Sequence, residues 1–348
     1  MTDDPTMIAR IQDRAGWLTF NRPKALNALD HDMAVVLERA LDDWRDDPAV
    51  KLVIIDATGE RAFCAGGDIA AIYHAGRAGN FSAGPDFWRD EYRMNAKIKE
   101  YPKPIVAFMQ GFVMGGGVGV GGLTSHRVVG DSTQIAMPET GIGLIPDVGG
   151  TLLLSQAPGR LGEYLGVTGT RFGAADALLT RFADAYVPEA DWPVLKDRLA
   201  ETGDVGVIPQ GLVPQAPSRL APLRAEIDAA FSGGSVQAIA AALEASGSDF
   251  AAETLKVIRR NSALSEECTL QLVRMTRETP DIRSALSNEF RFTARALEHA
   301  EFLEGVRAQI IDKDRTPQWR YTLESLPKAV VAALLAPLPE GQGLNFAQ

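Results

Sequence analysis

The sequence predicts an α/β fold: an alternating core of about 200 residues followed by a helical C-terminal region. Three short apolar runs rich in β-branched residues are typical of buried strands, at 16–20, 51–58 and 104–111. Between the first two, apolar residues recur at helical spacing over 29–48, which predicts an amphipathic helix. Strands separated by helices require crossover connections, which are typical of an α/β core.

The second half of the chain has a different composition. Residues 203–222 are rich in proline, glycine and glutamine and are predicted to form an ordered connector. Five later segments have helical patterns: 223–231, 237–245, 252–260, 266–277 and 286–299. We therefore predict three regions, a core at 1–202 that holds the ligand site, the connector 203–222 and a helical region at 223–348.

Charge and composition exclude several classes of function. The formal net charge of −10 disfavours a nucleic-acid partner, since binding a phosphate backbone requires a basic surface. The two cysteines, Cys64 and Cys268, are too few for a disulfide framework, and neither they nor the four histidines have metal-site spacing. We therefore expect no metal ion, although a local pocket can still bind a small anion.

Residues 105–124 are long enough to span a membrane. Seven glycines and the polar Gln110 make this segment a poor transmembrane helix, because each glycine destabilises a helix interior by about 1 kcal/mol relative to alanine. We expect no membrane association. The start of the chain is acidic and lacks an apolar stretch, which predicts neither a secretory signal nor a transit peptide and favours a cytoplasmic location.

Two glycine-rich segments follow predicted strands or apolar runs. In residues 62–69, two glycines before Asp68 suit a tight turn with outward-facing amides, and Asp68 can cap the next helix; an ordinary strand-to-helix turn is the alternative. In residues 111–120, three consecutive glycines can expose backbone N–H groups at a helix start, where negative charge binds. Close packing of backbone against a neighbouring strand explains the same glycines and is compatible with that role.

Three carboxylates stand in unusual surroundings. Glu139 and Asp147 lie eight residues apart in the glycine- and proline-rich segment 137–150, which places them on turns. Asp147 could simply cap a helix that starts near Gly149, whereas Glu139 has no such explanation. Glu91 lies in an apolar stripe of the helix predicted at 85–101, but an alternative stripe containing Tyr92 would leave Glu91 nearer solvent, and spacing does not decide between them.

Six segments together resemble the crotonase (enoyl-CoA hydratase/isomerase) superfamily, and more narrowly its 3-hydroxyisobutyryl-CoA hydrolase branch. They are NRPKALNAL, AFCAGGDI, RDEYRMN, MGGGVG, MPETGIGLIPDVGG and EGVRAQIIDKDRTPQW, in that order along nearly the whole chain. The resemblance implies a β-β-α spiral core that binds coenzyme A in an extended form. It assigns roles to ten residues: the amides of Gly67 and Gly116 polarise the thioester carbonyl, Lys24, Ala25, Leu26, Asp68 and Ile69 bind the substrate, and Glu91, Glu139 and Asp147 line the acyl pocket.

Two departures from the hydratases favour hydrolysis. Hydratases have a catalytic glutamate where this chain has Gly119, and a glycine where it has Asp147. The resemblance therefore implies hydrolysis of a short 3-hydroxyacyl-CoA, first of all 3-hydroxyisobutyryl-CoA of valine degradation, in which coenzyme A is part of the substrate and no other cofactor is needed. Glu139 would attack the carbonyl to give a mixed anhydride, which we favour, or act as general base on water.

Two other functions stay open on the sequence alone. One is hydration or isomerisation of an enoyl-CoA on the same fold. Residues 120–127 depart from the hydrolase branch, which leaves the local packing behind the glycine triplet open. The other is a catalytically silent CoA-binding protein, against which the Glu139 and Asp147 pair argues. Relatives of this family often form trimers, so the resemblance also implies a homo-oligomer.

Overall fold

The computed structural model describes residues 5–346, so the first four and last two residues of the predicted regions lie outside it. The strands in this part of the chain are β1 (Met7–Gln12), β2 (Ala15–Phe20), β3 (Leu52–Ala57), β4 (Ala62–Cys64), β5 (Ile105–Met109), β6 (Phe112–Met114), β7 (His126–Val129), β8 (Gln134–Ala136) and β9 (Ala185–Tyr186). Of these, β2, β3 and β5 are the three strands that the apolar runs predict, and the α/β class is confirmed.

The helices are longer and more numerous towards the C-terminus. They are α1 (His31–Arg45), α2 (Ala70–Arg77), α3 (Ala83–Lys99), α4 (Gly116–Gly121), α5 (Gly150–Gln156), α6 (Leu161–Thr168), α7 (Ala174–Leu179), α8 (Trp192–Thr202), α9 (Arg224–Ala230), α10 (Val236–Ser246), α11 (Asp249–Arg260), α12 (Ala263–Glu278), α13 (Ile282–His299), α14 (Phe302–Val306) and α15 (Lys328–Leu335). The five C-terminal helical patterns correspond to α9–α13. Between α8 and α9, residues 203–222 have irregular backbone apart from a 3₁₀ turn at Val205–Val207.

The chain divides into two compact units that interleave along the sequence. The first comprises the described residues up to Gly67, Arg93–Ala136 and Arg171–Arg219; the second comprises Asp68–Tyr92, Met137–Thr170 and the described residues from Leu220 onwards. The last boundary, after Arg219, falls inside the predicted connector. The predicted division into three consecutive regions does not describe these units, because each unit is made of three separate stretches of the chain.

The first unit contains both sheets. Its six-stranded sheet has the order β1-β2-β3-β5-β7-β9, in which β1 is antiparallel to β2 and the other neighbours are parallel. The second sheet, β4-β6-β8, is parallel throughout. Because the carboxyl ends of parallel strands meet at one edge of a sheet, the loops after β4 and β6 leave the small sheet on the same side. Gly67, one of the two glycines whose amides are predicted to polarise the thioester carbonyl, lies in the first of these loops, and the other, Gly116, follows directly after the second.

The second unit is built from helices around α12, which packs against α5, α6, α10, α11, α13 and α15. Its interior contains buried charge as well as apolar side chains. Glu163 is fully buried, and its carboxylate accepts hydrogen bonds from Nη1 and Nη2 of Arg277, at 2.9 and 3.0 Å. A buried carboxylate needs such pairing, because an ionised group without partners is strongly disfavoured in a protein interior.

No helix in the described part of the chain has the length and apolar character needed to cross a membrane. The segment 105–124, whose length alone would suffice, forms β5, β6 and α4 instead. Its glycines allow close packing of backbone, as the alternative interpretation of the glycine triplet predicts. At Gly117, an added Cβ would lie 2.2 Å from the carbonyl oxygen of Cys64 in β4.

Replacing Gly117 with alanine is therefore expected to destabilise the protein by about 1–3 kcal/mol or more, the usual cost of overpacking a rigid site. Gly234→Ala is the matched control, since a Cβ at that position meets nothing within 4 Å. Thermal unfolding of the two variants measures the difference. Equal melting temperatures would contradict the close approach of α4 to β4.

Candidate active site

In the first unit, Gly67 closes the loop that follows β4. Leu29 N–H donates to Gly66 O at 2.9 Å and Ala65 N–H donates to Leu26 O at 3.1 Å, so the loop is fixed against the segment at 26–29. Gly66 has a φ of +113°, a conformation that favours glycine. Among the hydrogen bonds of the described residues, the Gly67 N–H is not a donor, so it is available to a ligand.

Gly116 follows β6 and is the first residue of α4. Gly115 before it has a φ of +46°, which turns the chain from the strand into the helix. The first N–H groups of a helix have no intrahelical acceptor, and within the described chain the Gly116 N–H is not a donor. Gly67 and Gly116 thus each present an unused backbone donor just beyond neighbouring parallel strands.

The first predicted substrate-binding residues, at 24–26, lie at a 3₁₀ turn, Pro23–Ala25. Lys24 and Ala25 are exposed and Leu26 is half-buried with a φ of +52°. Asn27 fixes the turn, because its amide group donates to Thr58 O at 3.0 Å and to Ala62 O at 2.9 Å. The turn is therefore connected to β4, whose following loop contains Gly67.

In the second unit, Glu139 is the first residue of a 3₁₀ turn, Glu139–Ile142, and lies three residues after the end of β8. Its side chain is only 5% exposed, and one carboxylate oxygen has no hydrogen-bond partner. Burial raises the pKa of Glu139 well above 4.5, and the nearby charge of Asp147 raises the pKa further. The next residue, Thr140, anchors the turn by accepting a bond from Asn261 Nδ2 at 3.1 Å.

Asp147 is 4% exposed and accepts a hydrogen bond from the hydroxyl of Tyr92 at 2.7 Å. Burial raises the pKa of Asp147 to about 7, while the bond from Tyr92 opposes that rise. The alternative that Asp147 only caps α5 is wrong. The N-cap of α5 is Gly149. The backbone N–H groups of Gly149 and Thr151 at this helix start donate to the carboxylate of Glu289 and not to Asp147.

The turn between Asp147 and α5 has a demanding backbone conformation. Val148 has a φ of +54°, which is strained for a β-branched residue, and Gly149 follows with a φ of +80°. Glu289 accepts hydrogen bonds from Gly149 N–H at 2.9 Å, from Thr151 N–H at 3.0 Å and from the Thr151 hydroxyl. These bonds offset the strain at Val148 and fix the backbone next to Asp147.

Glu91 is 2% exposed, so the alternative that it lies on a solvated face is wrong. Both stripes of α3 are buried here, since Trp88 and Tyr92 are as inaccessible as Glu91. One Glu91 oxygen has no partner, and burial together with the charge of Asp147 raises the pKa of this carboxyl group well above 4.5. The second unit thus brings Glu91, Glu139 and Asp147 into one buried acidic cluster, as the resemblance implies.

Asp68 and Ile69 also belong to the second unit. Ile69 is the N-cap of α2 and makes no side-chain capping bond, so Asp68 precedes the cap by one residue. Both residues are half-buried. The prediction that Asp68 caps the helix is therefore wrong by one position.

The sequence prediction missed Tyr92, Glu289 and Thr293. Tyr92 follows Glu91 directly, and the sequence predicts it only as a member of the alternative stripe of the helix at 85–101. Glu289 and Thr293 lie one turn apart on a face of α13 whose other members are apolar, including Leu286 and Phe290. Two polar residues at helical spacing within an apolar stripe are the signal that could have identified them.

The sequence model of the enoyl-CoA hydratase/isomerase family matches residues 15–335, nearly the whole chain. The chain belongs to the enoyl-CoA hydratase/isomerase family. Within this family it is 39% identical, over 321 residues, to the mitochondrial 3-hydroxyisobutyryl-CoA hydrolase of Rattus norvegicus, and the match covers 88% of this chain and 82% of that one. The predicted resemblance is thereby confirmed.

Two crystal structures of family members share the fold over almost their full length. One, described as an enoyl-CoA hydratase from Rhodobacter sphaeroides 2.4.1, is 51% identical, covers 98% of this chain and 100% of its own, and has a TM-score of 0.94. A carnitinyl-CoA dehydratase from Mycobacterium thermoresistibile is 39% identical, with 99% of each chain covered and a TM-score of 0.92. The crotonase-like core with a helical C-terminal region is confirmed.

Proposed function

We propose that this chain hydrolyses a short 3-hydroxyacyl-CoA thioester, with 3-hydroxyisobutyryl-CoA as the first candidate. The pair of buried carboxylates, Glu139 and Asp147, carries the proposal. The pKa of both is raised, and the value of about 7 for Asp147 suits a group that exchanges a proton near neutral pH. The identity of 39% to a 3-hydroxyisobutyryl-CoA hydrolase supports the choice of substrate.

The free amides of Gly67 and Gly116 supply the electrostatic part of the proposed reaction. Hydrolysis of a thioester passes through a tetrahedral intermediate with negative charge on the former carbonyl oxygen. Each preorganised N–H donor to such an oxygen is worth about 3–4 kcal/mol of transition-state stabilisation. Neither amide is a donor within the described chain, so neither must break a bond to bind the oxygen.

Glu139 supplies the covalent part. In its ionised form it attacks the carbonyl carbon, an oxygen–carbon bond forms, and the carbon–sulfur bond breaks. Coenzyme A leaves as a thiolate that takes up a proton, and the acyl group remains on Glu139 as a mixed anhydride. Water then attacks the Glu139 carbonyl carbon of the anhydride, with Asp147 accepting a proton of the water. The bond from this carbon to the bridging oxygen breaks, which releases the 3-hydroxy acid and leaves the Glu139 carboxylate with one oxygen from water.

This scheme makes the rate depend on pH near neutrality. Because the pKa of Asp147 is raised to about 7, its proton remains bound until the pH approaches that value. Glu139 and Asp147 both react in their ionised forms, so kcat/KM should rise as the pH rises through about 7 and fall by at least tenfold per pH unit well below it. Rate measurements from pH 5 to 9 test this, and an acid limb centred near 4 would contradict it.

The decisive test of the function is release of free thiol. Purified protein is incubated with a panel of acyl-CoA esters that includes 3-hydroxyisobutyryl-CoA, 3-hydroxypropionyl-CoA and crotonyl-CoA, and a thiol reagent measures free coenzyme A. We expect release from the 3-hydroxyacyl esters alone. The absence of thiol release from the whole panel would refute the proposal.

Hydration of an enoyl-CoA is the second candidate, supported by the 51% identity to a structure described as an enoyl-CoA hydratase. Hydration adds water to a carbon–carbon double bond and releases no thiol. Gly119, where hydratases have a catalytic glutamate, carries no side chain that could exchange a proton. Loss of the enoyl absorbance of crotonyl-CoA without thiol release would favour hydration.

We also propose that coenzyme A, as part of the substrate, is the only cofactor. We propose further that the protein forms a trimer-based homo-oligomer. Its proposed location is the cytoplasm, where it acts in valine degradation. Activity after treatment with a metal chelator, mass in solution by light scattering, and cell fractionation test these proposals separately. The relative from Rattus norvegicus is mitochondrial, so fractionation is the informative test of location.

A further inference from the structure

We infer that Glu289 is a positioning residue for Asp147, acting through the turn that joins Asp147 to α5. The inference rests on the proposed function, since a positioning role has a catalytic consequence only if Asp147 takes part in the reaction. Glu289 lies on α13, in the C-terminal region for which the sequence predicts no part in the site. Its role would make that region a component of the catalytic machinery.

The contacts of Glu289 are directed at the backbone beside Asp147. One carboxylate oxygen accepts the Gly149 N–H at 2.9 Å, and the other accepts the Thr151 N–H at 3.0 Å together with the Thr151 hydroxyl. Gly149 lies two residues from Asp147, and Gly150 N–H donates to Asp147 O at 2.6 Å. The Glu289 carboxylate therefore fixes a turn of which Asp147 is the first residue.

The same face of α13 also reaches the Asp147 side chain. Thr293, one turn after Glu289, has its hydroxyl 3.3 Å from the hydroxyl of Tyr92. Tyr92 donates to Asp147 at 2.7 Å. Asp147 is thus positioned from two directions by one helix, through its backbone by Glu289 and through its carboxylate by way of Tyr92 and Thr293.

Glu289 also acts on the acidic cluster through its charge. Its carboxylate raises the pKa of Glu139 and of Tyr92, and the charge of Asp147 in turn raises the pKa of Glu289. Glu91 interacts with the same cluster through Asp147. The helix α5 has no titratable side chain, and Glu266 on α12 responds to burial and to its neighbour Glu267. Other charged side chains on the helices packed against α13 are exposed or paired elsewhere: His74, Arg77, Glu267, Arg274, Arg277, Glu278, Glu304 and Lys328.

The test is the variant Glu289→Gln. An amide presents one acceptor oxygen, so its NH₂ group must face a donor N–H of the turn, and the negative charge is lost. We expect kcat to fall by about 10²-fold, the effect of small misplacement of a catalytic group, with little change in KM. Because a negative charge that raises the pKa of Glu139 is removed, the acid limb of kcat/KM should move to lower pH.

Two further variants distinguish the loss of negative charge from a change in side-chain length and from a general effect of altering a buried glutamate. Glu289→Asp keeps the charge but shortens the side chain by one methylene, so kcat should fall while the acid limb stays in place. Glu266→Gln makes the same chemical change at another fully buried glutamate of the second unit, whose two oxygens have no hydrogen-bond partner. It should leave both the rate and the acid limb unchanged.

A substrate-free measurement distinguishes failure of this inference from failure of the proposed function. Carbon-13 NMR of labelled aspartate carboxyl groups, with Asp147 assigned by its loss in Asp147→Asn, gives the pKa of Asp147 in each variant. A pKa of Asp147 that differs from the wild-type value in Glu289→Gln supports the inference even if the wild type releases no thiol, an outcome that refutes only the function. An unchanged pKa together with wild-type kcat in Glu289→Gln would overturn the inference.

Discussion

Replacing Glu139 with glutamine is expected to abolish release of coenzyme A from a 3-hydroxyacyl-CoA while leaving ligand binding intact. The amide has the size of the carboxylate but can neither attack a carbonyl carbon nor accept a proton. Loss of such a group typically costs about 10²–10⁴-fold in rate, and loss of a nucleophile more. Single-turnover thiol release measures the rate, and calorimetric titration with a non-hydrolysable CoA thioether measures binding.

Glu266→Gln is the matched control for this prediction, because Glu266 is equally buried in the second unit and has no proposed role. Wild-type rates in Glu139→Gln would contradict the assignment. Turnover of the wild type in heavy-oxygen water tests the covalent step. Label in the Glu139 carboxylate after a single turnover indicates the mixed anhydride, and label in the product acid alone indicates general-base catalysis by Glu139.

Asp147→Asn is expected to have the second largest effect, a fall in kcat of about 10²-fold or more. Asparagine can still accept a bond from Tyr92, so the variant keeps the geometry of the pair and loses only the exchangeable proton. Since burial raises the pKa of Asp147 to about 7, the variant should also lose the part of the acid limb that Asp147 sets and keep the part set by ionisation of Glu139. A pH–rate profile of the variant between pH 5 and 9 measures both effects.

The control for Asp147→Asn is Asp131→Asn, at a second tyrosine–aspartate pair. Asp131 accepts a bond from the Tyr186 hydroxyl at 2.6 Å in the first unit, at residues outside the proposed site. That substitution should leave the pH profile of the enzyme unchanged. An Asp147→Asn variant that keeps the wild-type acid limb would show that another group controls it.

Much of the fold could be predicted because local patterns agree with the final structure. The helix α1 begins at His31 after Asp30, whose side chain accepts Met33 N–H at 2.9 Å, the capping arrangement that the sequence favours there. The strands β2, β3 and β5 are continuous apolar runs because a parallel sheet is covered on both faces. The strands β4, β6 and β8 were not predicted, since three residues carry no measurable periodicity.

The sequence by itself determined the α/β class, the family and the identity of Glu139 and Asp147 as unusual carboxylates. These follow from composition, short-range spacing and ordered motifs, all of which are local along the chain. It left open whether Glu91 is solvated and whether Asp147 is a helix cap, because burial and hydrogen-bond partners depend on residues far away in sequence.

Only the tertiary structure decided those points. Glu289 lies 142 positions after Asp147, and helix packing alone brings its carboxylate to the amides of Gly149 and Thr151. The same packing buries Glu91, Glu139 and Asp147 together and raises the pKa of all three through lost solvation. The charge of Asp147 raises the pKa of Glu91 and of Glu139 further. Desolvation and the interaction of charges are properties of three-dimensional neighbours, which no spacing along the chain encodes.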